Sequence, residues 1–119
     1  MDRMALGRAA EQLAAQELED RGATILLRNF RRRTGELDIV ARDGAALVVV
    51  EVRLRTSEAY GGAAASIVRR KQARIVRTTA QLLQSHRELA RLPVRFDVAV
   101  VSVAATRWQV EWIRHAFEA

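Results

Sequence analysis

Three acidic residues interrupt two strand-like segments between residues 34 and 55, where the interior of a sheet would need apolar side chains. Glu36 and Asp38 belong to the first segment, ELDIVAR, and Glu51 belongs to the second, ALVVVEVR. Clustered carboxylates repel one another unless a cation neutralises them, and a hard divalent cation such as Mg2+ takes oxygen ligands. The pattern indicates a metal site. The alternative is a set of weak surface ion pairs with Arg53 or with an arginine of the 31–33 run.

The turn between the two segments determines whether these acids meet. The dipeptide Asp43-Gly44 is a strong hairpin signal, so we predict an even-length turn centred between those two residues. In that register Asp38 faces Val49 and lies diagonal to Glu51, about 7 to 8 Å away. Strand parity leaves the acids on one face and makes the other face wholly apolar, with Leu37, Ile39, Val48, Val50 and Val52.

Periodicities elsewhere in the chain predict the frame that holds this hairpin. A first helix spans about residues 3–21 behind an Asp2 cap, and a long amphipathic helix spans about 66–90 before Pro93. A crossover through the long helix makes strands three and four parallel, and the alternating last strand is suited to an edge. We therefore predict an α/β fold in the order helix, three strands, helix, strand, strand, with a mixed central sheet flanked by helices. The remaining segments are strands at about 23–30, 36–42, 46–53, 94–103 and 108–113, a turn at 31–35 and a loop at 54–63.

Length, composition and charge limit the classes of function. With 119 residues, 50% of them hydrophobic, the chain has the size of one ordinary domain, and we expect a single domain over residues 1–119. The absence of cysteine excludes disulfides and thiolate metal sites. No stretch has the features of a signal peptide or a membrane span, so we expect a cytoplasmic protein without a membrane role. The net charge of +6 and the pI of about 11.3 favour polyanionic partners such as nucleic acid.

Nearly all of the positive charge is carried by arginine. Of the 20 cationic side chains 19 are arginine, and Lys71 is the single lysine. Lys71 lies near the start of the long helix beside its apolar face, either as a snorkelling helix-edge residue or as part of the acidic site. Arginine forks bind phosphate well, and a groove of arginines beside the acids would bind nucleic acid, with a solvated surface run as the alternative. The candidate nucleic-acid-binding residues are Arg28, Arg31, Arg32, Arg33, Arg55, Arg69 and Arg70.

Several short motifs occur together over nearly the whole chain. They are GRAAE at 7–11, GELD at 35–38, VEVRLR at 50–55, the helical lysine, RFD at 95–97 and a terminal AF. In combination they resemble the small bacterial YraN-like family of the restriction-endonuclease-like, PD-(D/E)xK nuclease superfamily, and they are similar to Holliday junction resolvases. The resemblance implies a restriction-endonuclease-like core and a Mg2+- or Mn2+-dependent endonuclease that hydrolyses phosphodiesters in structured or branched DNA. By analogy with resolvases it also implies a homodimer.

The resemblance also implies roles for individual residues. Asp38 and Glu51 would hold the metal, and Glu11 would approach from the first helix as a further ligand or water-positioning acid. Position 53 would be the catalytic lysine, but here it is Arg53, which can stabilise charge yet stays protonated and cannot act as a base. Lys71 is the candidate for the missing ammonium group.

The arginine at position 53 leaves two other functions open. One is a catalytically impaired nucleic-acid-binding module of the same fold, and the other is a scaffold protein that contacts a partner through its basic face. Glu11 also has an alternative, as a helix-surface acid outside the site. Asp97 is expected to form a structural pair with Arg95 and not to bind metal.

Overall fold

A five-stranded mixed sheet lies at the centre of the computed structural model, which describes residues 2–55, 67–104 and 106–119. The elements follow the chain as α1 (Arg3–Asp20), β1 (Thr24–Arg32), β2 (Gly35–Asp43), β3 (Ala46–Arg55), α2 (Arg69–Ser85), a 3-10 turn (Arg87–Leu89), β4 (Val94–Ala104) and β5 (Arg107–Phe117). The strands pair in chain order, with β3 and β4 parallel and the other neighbours antiparallel. This confirms the predicted α/β class, a mixed sheet flanked by helices, and is compatible with a restriction-endonuclease-like core. No described helix is long and apolar enough to cross a membrane.

Helix α1 covers one face of the sheet through small side chains. Asp2 caps its first turn, because Asp2 Oδ1 accepts a hydrogen bond from the Ala5 amide at 2.7 Å. Small buried residues let the helix approach the strands closely, so that Glu11 on its margin reaches β1. The packed residues are Ala14, Ala15 and Leu18 of α1 with Ile39, Ala41, Val48 and Val50 of the sheet.

Helix α2 covers the opposite face. Its buried side chains Ile75 and Leu82 belong to the same core as Leu47 and Val49 of β3. The helix is shorter than the predicted span of 66–90, and residue 66 lies outside the described residues. It ends at Ser85, whose hydroxyl donates to the Leu82 carbonyl at 3.0 Å and so competes with the helical backbone pattern.

The predicted strands are present, with changes at their ends. β1 continues to Arg32, so the predicted turn at 31–35 shortens to residues 33 and 34, and an ion pair of 3.1 Å between Arg31 and Glu36 spans this end of the ladder. Residues 54 and 55 belong to β3, and the predicted loop residues 56–63 lie outside the described residues. The parallel pairing of β3 with β4 and the edge position of β5 are confirmed.

The turn between β2 and β3 lies one residue later than predicted. Asp43 pairs with Ala46, so the two-residue loop consists of Gly44 and Ala45. Gly44 has φ +61 at the first loop position, where a type II′ turn requires glycine. Because the turn centre moves by one residue, the pairing moves by two, which preserves strand parity. The register brings Asp38 opposite Glu51, whereas the prediction placed them on a diagonal.

Leu37 is the exception to the predicted faces. It packs with Val40, Val49 and the α2 core, whereas Ile39 lies in the α1 core. The β2–β3 ladder ends at Ile39, and the neighbouring strand β1 carries Asn29 with φ +56. The regular alternation of side chains along β2 is therefore interrupted between Leu37 and Ile39, and these two side chains point to opposite faces of the sheet. The prediction of one continuous apolar face was wrong at Leu37.

Candidate functional site

Asp38 lies where β2 and β3 stop pairing. The last pair between these strands is Ile39 with Val50, and a regular ladder would continue with the Val52 amide facing the backbone of β2. The Asp38 side chain replaces that partner, since its Oδ2 accepts a hydrogen bond from Val52 N–H at 2.9 Å. The carboxyl group is therefore fixed by the backbone of the neighbouring strand.

Glu51 brings a second carboxyl group to the same point. It follows Leu47 and Val49 on the α2 face of β3, and only 5% of it is exposed. Its carboxyl group is in hydrogen-bonding contact with that of Asp38. Burial, and after it the charge of Glu51, raises the pKa of Asp38 to about 8, although the Val52 amide opposes the shift. Below that pH Asp38 binds a proton.

Lys71 supplies a cation to this pair from the first turn of α2. Its Nζ forms an ion pair with Glu51 Oε2. Nearly half of the lysine side chain, 46%, remains exposed, so the ammonium group faces both the buried carboxylate and solvent. The structure thus brings Lys71 into contact with the acidic pair.

Glu11 approaches the pair from α1 but is held by β1. Its Oε1 accepts a hydrogen bond from Asn29 Nδ2 at 3.0 Å and lies 3.4 Å from Arg28 Nη2. Its charge contributes, as the weakest cause, to the raised pKa of Asp38. Within residues 2–55, 67–104 and 106–119, no three histidine, aspartate or glutamate side chains gather as a metal-holding group. The candidate ligand set is therefore the Asp38–Glu51 pair, with Glu11 as a nearby charge.

Arg53 lies beside this pair without contacting it. It follows Glu51 on the same face of β3, about 7 Å further along the strand, and pairs with Val100 of β4. In the part of the chain that the structure describes, its side chain forms no hydrogen bond or ion pair. The described neighbour of Glu51 is thus a lysine from a helix and not the cation at position 53.

A cleft of about 800 Å³ opens over the two carboxyl groups. Its floor includes Asp38 and Glu51, and Lys71 lies at its side. Arg70 and Arg74 stand on the rim, one helical turn apart, so the cationic groups of α2 line one side of the cleft. A small anionic group entering this cleft would meet two guanidinium groups and one ammonium group before it reached the carboxyl groups.

Comparison with known proteins places the chain in a family. The profile of "Uncharacterised protein family UPF0102" matches residues 10–101. The chain belongs to the UPF0102 family. A UPF0102 protein of Stutzerimonas stutzeri (strain A1501) is 45% identical over 94% of this chain and 93% of that protein. A UPF0102 protein of Frankia casuarinae is 50% identical over 95% of this chain and 96% of that protein.

The UPF0102 match confirms the family predicted from the motifs, and the restriction-endonuclease-like superfamily is consistent with it. The matched region includes α1 from residue 10, the whole β2–β3 hairpin and α2. The names of the UPF0102 relatives state no reaction, so the function has to be argued from the site.

The arginines predicted to bind nucleic acid divide into groups in this UPF0102 fold. Arg28 and Arg31 have acidic partners, since Arg28 contacts Glu11 and Arg31 contacts Glu36. Arg55 lies near Ser102 at the far end of β3, where its Nη2 is 3.4 Å from the Ser102 hydroxyl. The remaining candidates lie along α2 and the β1–β2 turn, and they are Arg32, Arg33, Arg69 and Arg70.

Asp97 has the structural role that the sequence predicts. It is fully buried and accepts hydrogen bonds from Arg95 Nε at 3.0 Å and from Trp112 Nε1 at 2.8 Å. It also accepts from the His115 amide at 2.9 Å. These bonds tie β4 to the end of β5 and leave Asp97 outside the cleft.

Sequence reasoning missed two parts of the cleft. Arg74 lines it and also donates from Nε to the Thr34 carbonyl at 3.3 Å. Its spacing of four residues from Arg70 is a helical signal that would have indicated a shared face. Gly35 lines the cleft as well, and its close approach to α2 has no signal in the local pattern.

Proposed function

We propose that this protein is a Mg2+- or Mn2+-dependent endonuclease that hydrolyses phosphodiesters in structured or branched DNA. The observation that carries the proposal is the pair of a half-buried Asp38 and a buried Glu51, with Lys71 on Glu51, at the base of a cleft rimmed by arginine. Such a reaction needs carboxylates that would hold a cation and cationic side chains that would hold phosphate. Here both kinds of side chain line one cleft.

The residues present fit a divalent cation. Two carboxyl groups in contact below an open cleft either share a proton or accept a cation, as the raised pKa of Asp38 reflects. Mg2+ keeps several waters and is commonly bound by one or two protein carboxylates together with substrate phosphate oxygens. The pair Asp38 and Glu51 satisfies that requirement without a third protein ligand. Bound there, the ion would polarise a phosphate oxygen and lower the pKa of a water molecule.

The side chains around the pair would orient and stabilise the substrate. Arg70 and Arg74 are positioned to hold a phosphate at the mouth of the cleft. Lys71 carries the ammonium group that the family resemblance implies at position 53. This group would stabilise negative charge that develops on the phosphate. Glu11 would act on Asp38 through its negative charge, without contacting the substrate. Cutting both strands symmetrically would require two copies of the chain.

One observation favours a second function, in which the protein binds nucleic acid without cleaving it. Arg53 lies outside the described lining of the cleft and has no described side-chain partner. An arginine at this position cannot take up the proton of an attacking water. If Lys71 does not compensate, the arginine-rich rim remains a binding surface while hydrolysis is lost.

Cleavage assays on branched, looped and linear DNA with Mg2+, with Mn2+ and with chelator separate the two functions. We expect nicking that requires metal, that Asp38→Asn abolishes and that Glu36→Gln leaves within about threefold, since Glu36 also lines the cleft but pairs with Arg31. Metal-independent binding without cleavage on every substrate would support the second function. Absence of DNA binding at low salt, where phosphate contacts are strongest, would contradict both.

Substitutions at the two cations test which of them serves catalysis. Lys71→Gln should reduce the cleavage rate by about tenfold or more if its ammonium stabilises transition-state charge, and Lys71→Arg should restore part of it. Arg53→Lys with a large gain in rate would show that the arginine impairs the site. An unchanged rate would show that position 53 needs only positive charge.

A further inference from the structure

One flank of α2 carries a regular row of long polar and cationic side chains. Arg70, Arg74, Arg77, Gln81 and Gln84 are spaced by four, three, four and three residues, which is the repeat of one helix face. All are exposed except Gln81, which is half-buried. The apolar side chains that hold the helix on the sheet lie on a different face. This row, called here the α2 stripe, starts at the acidic cleft and runs away from it.

The β1–β2 turn is attached to α2 by three hydrogen bonds, and two of them involve residues of the α2 stripe. The Thr34 hydroxyl lies 2.8 Å from the Thr78 hydroxyl and 3.2 Å from Gln81 Oε1. The Thr34 carbonyl accepts from Arg74 Nε at 3.3 Å. These bonds fix the turn against the middle of the helix, so its neighbouring arginines keep a constant position relative to the stripe.

Gly35 allows this close approach. It has φ +149, and a Cβ atom there would lie 3.3 Å from Thr78 Oγ1 and 3.7 Å from Arg74 Cβ. A side chain at this backbone angle is strained, and its Cβ atom would require the Thr78 hydroxyl to shift by a few tenths of an ångström. The turn is therefore built to contact the helix.

The attached turn extends the cationic surface beyond the cleft. Arg32 and Arg33 line a shallow groove of about 430 Å³ together with Gln81 and Gln84 at the far end of the stripe. The groove and the acidic cleft are thus lined by the same flank of one helix. Arg69 lies about 100° around the helix from Arg70 and falls outside the stripe.

Length and chemistry identify the ligand that this surface fits. From residue 70 to residue 84 the helix rises about 21 Å, which matches about six base pairs at 3.4 Å each. The surface offers guanidinium and amide groups, which bind phosphate and sugar oxygens, and contacts of that kind position a duplex without reading its sequence. The helix α2 contains no aromatic residue, and the one aromatic residue of β1, Phe30, is covered by the guanidinium group of Arg32 at 4.2 Å from the ring centre. An exposed stacking platform, which single strands use, is therefore absent from the described part of this surface.

We infer that the α2 stripe and the β1–β2 turn bind the sugar-phosphate backbone of a DNA duplex, independently of sequence, along about six base pairs on one side of the acidic cleft. This inference rests on the proposed function, because it assigns the substrate of the same site. It predicts that the strand enters at the turn and reaches the Asp38–Glu51 pair at the end of the stripe.

Matched double substitutions test the location of the binding surface. Arg70→Gln with Arg77→Gln removes two charges from the stripe, and neither side chain holds the turn. Arg8→Gln with Arg91→Gln removes the same charge from exposed positions off the stripe. Binding of a fluorescent 12-base-pair duplex is measured by anisotropy in chelator, over a salt series from about 50 to 200 mM.

The stripe variant should bind at least about tenfold more weakly at about 50 mM salt, and the slope of log K against log salt should fall by about 2. The control variant should stay within about twofold. Equal losses in both variants, or no loss in either, would overturn the inference and leave the proposed function standing, since cleavage is assayed separately. Tighter binding of the single strand than of the duplex would overturn it too, and a wild-type protein that binds no duplex would overturn both.

Discussion

Metal binding to the Asp38–Glu51 pair should weaken as the pH falls, because a metal ion and a proton compete for the same carboxyl group. In the metal-free protein the pKa of Asp38 is about 8. About half of the molecules then have Asp38 ionised at pH 8 and about 1% at pH 6, so the apparent affinity for Mn2+ should fall about fiftyfold between these values. An aspartate with an ordinary pKa near 3.9 would give almost no change over that range.

Isothermal titration calorimetry with Mn2+ at several pH values between about 6 and 8 measures this affinity directly. Repeating each titration in buffers of different ionisation enthalpy counts the protons released per metal ion. We expect close to one proton at about pH 6 and about half a proton at about pH 8. The readout needs no DNA and does not depend on catalysis.

Two variants make the measurement specific to the proposed ligand. Asp38→Asn should lose both the binding and the proton release, because the amide is neutral and a weaker metal ligand. Glu36→Gln alters another acid of the same cleft, which is already paired with Arg31. This variant should preserve both the metal binding and the proton release. A wild-type affinity that changes less than about threefold between pH 6 and pH 8, without proton release, would refute the reasoning that Asp38 is the protonated ligand.

Three further substitutions test how the fold supports the site. The metal-free protein should lose stability as the pH rises from about 4 to about 8, because the folded state holds the Asp38 proton more tightly. Asp38→Asn should therefore raise the melting temperature at about pH 9 by roughly 4 °C or more, and a fall would contradict the charge argument. Asp97→Ala should lower the free energy of unfolding by about 3 kcal/mol, since it deprives Arg95 of its buried partner, and a loss below about 1 kcal/mol in urea would contradict this. Gly35→Ala should destabilise by about 1–3 kcal/mol in the same assay, whereas Gly7→Ala, which meets no atom within 4 Å, should be neutral or stabilising; equal effects would refute the close-approach argument.

The meeting of Asp38 and Glu51 could be predicted from the sequence because it depends only on strand parity. An even-length turn puts both acids on one face, and the one-residue error at Gly44 preserved that parity. What the pattern did not contain was the φ of Gly44, which decides whether the acids lie on a diagonal or opposite each other. Parity failed at Leu37, since the β2–β3 ladder ends at Ile39 and the side chain of Asp38 replaces a backbone acceptor beyond it.

Contacts between elements were less accessible to sequence reasoning. The ion pair of Lys71 with Glu51 depends on how α2 is rotated on the sheet, and residue types alone left its role open. Arg74 was missed for the same reason, because its place in the cleft follows from the attachment of the β1–β2 turn to the helix. Conversely, the predicted groove treated seven arginines as one group, and the fold separates those with acidic partners, such as Arg28, from those along α2.

The ion pair between Lys71 and Glu51 has a practical consequence for spectroscopy. Lys71 is the chain's single lysine, so protein labelled with nitrogen-15 lysine carries one ammonium resonance, and that resonance arises within the acidic site. Its chemical shift and exchange rate would respond to a proton on the carboxyl pair, to a bound cation and to a phosphate at the cleft. The unmodified protein thus contains a reporter that can follow all three events in successive titrations, without a mutation or an attached dye.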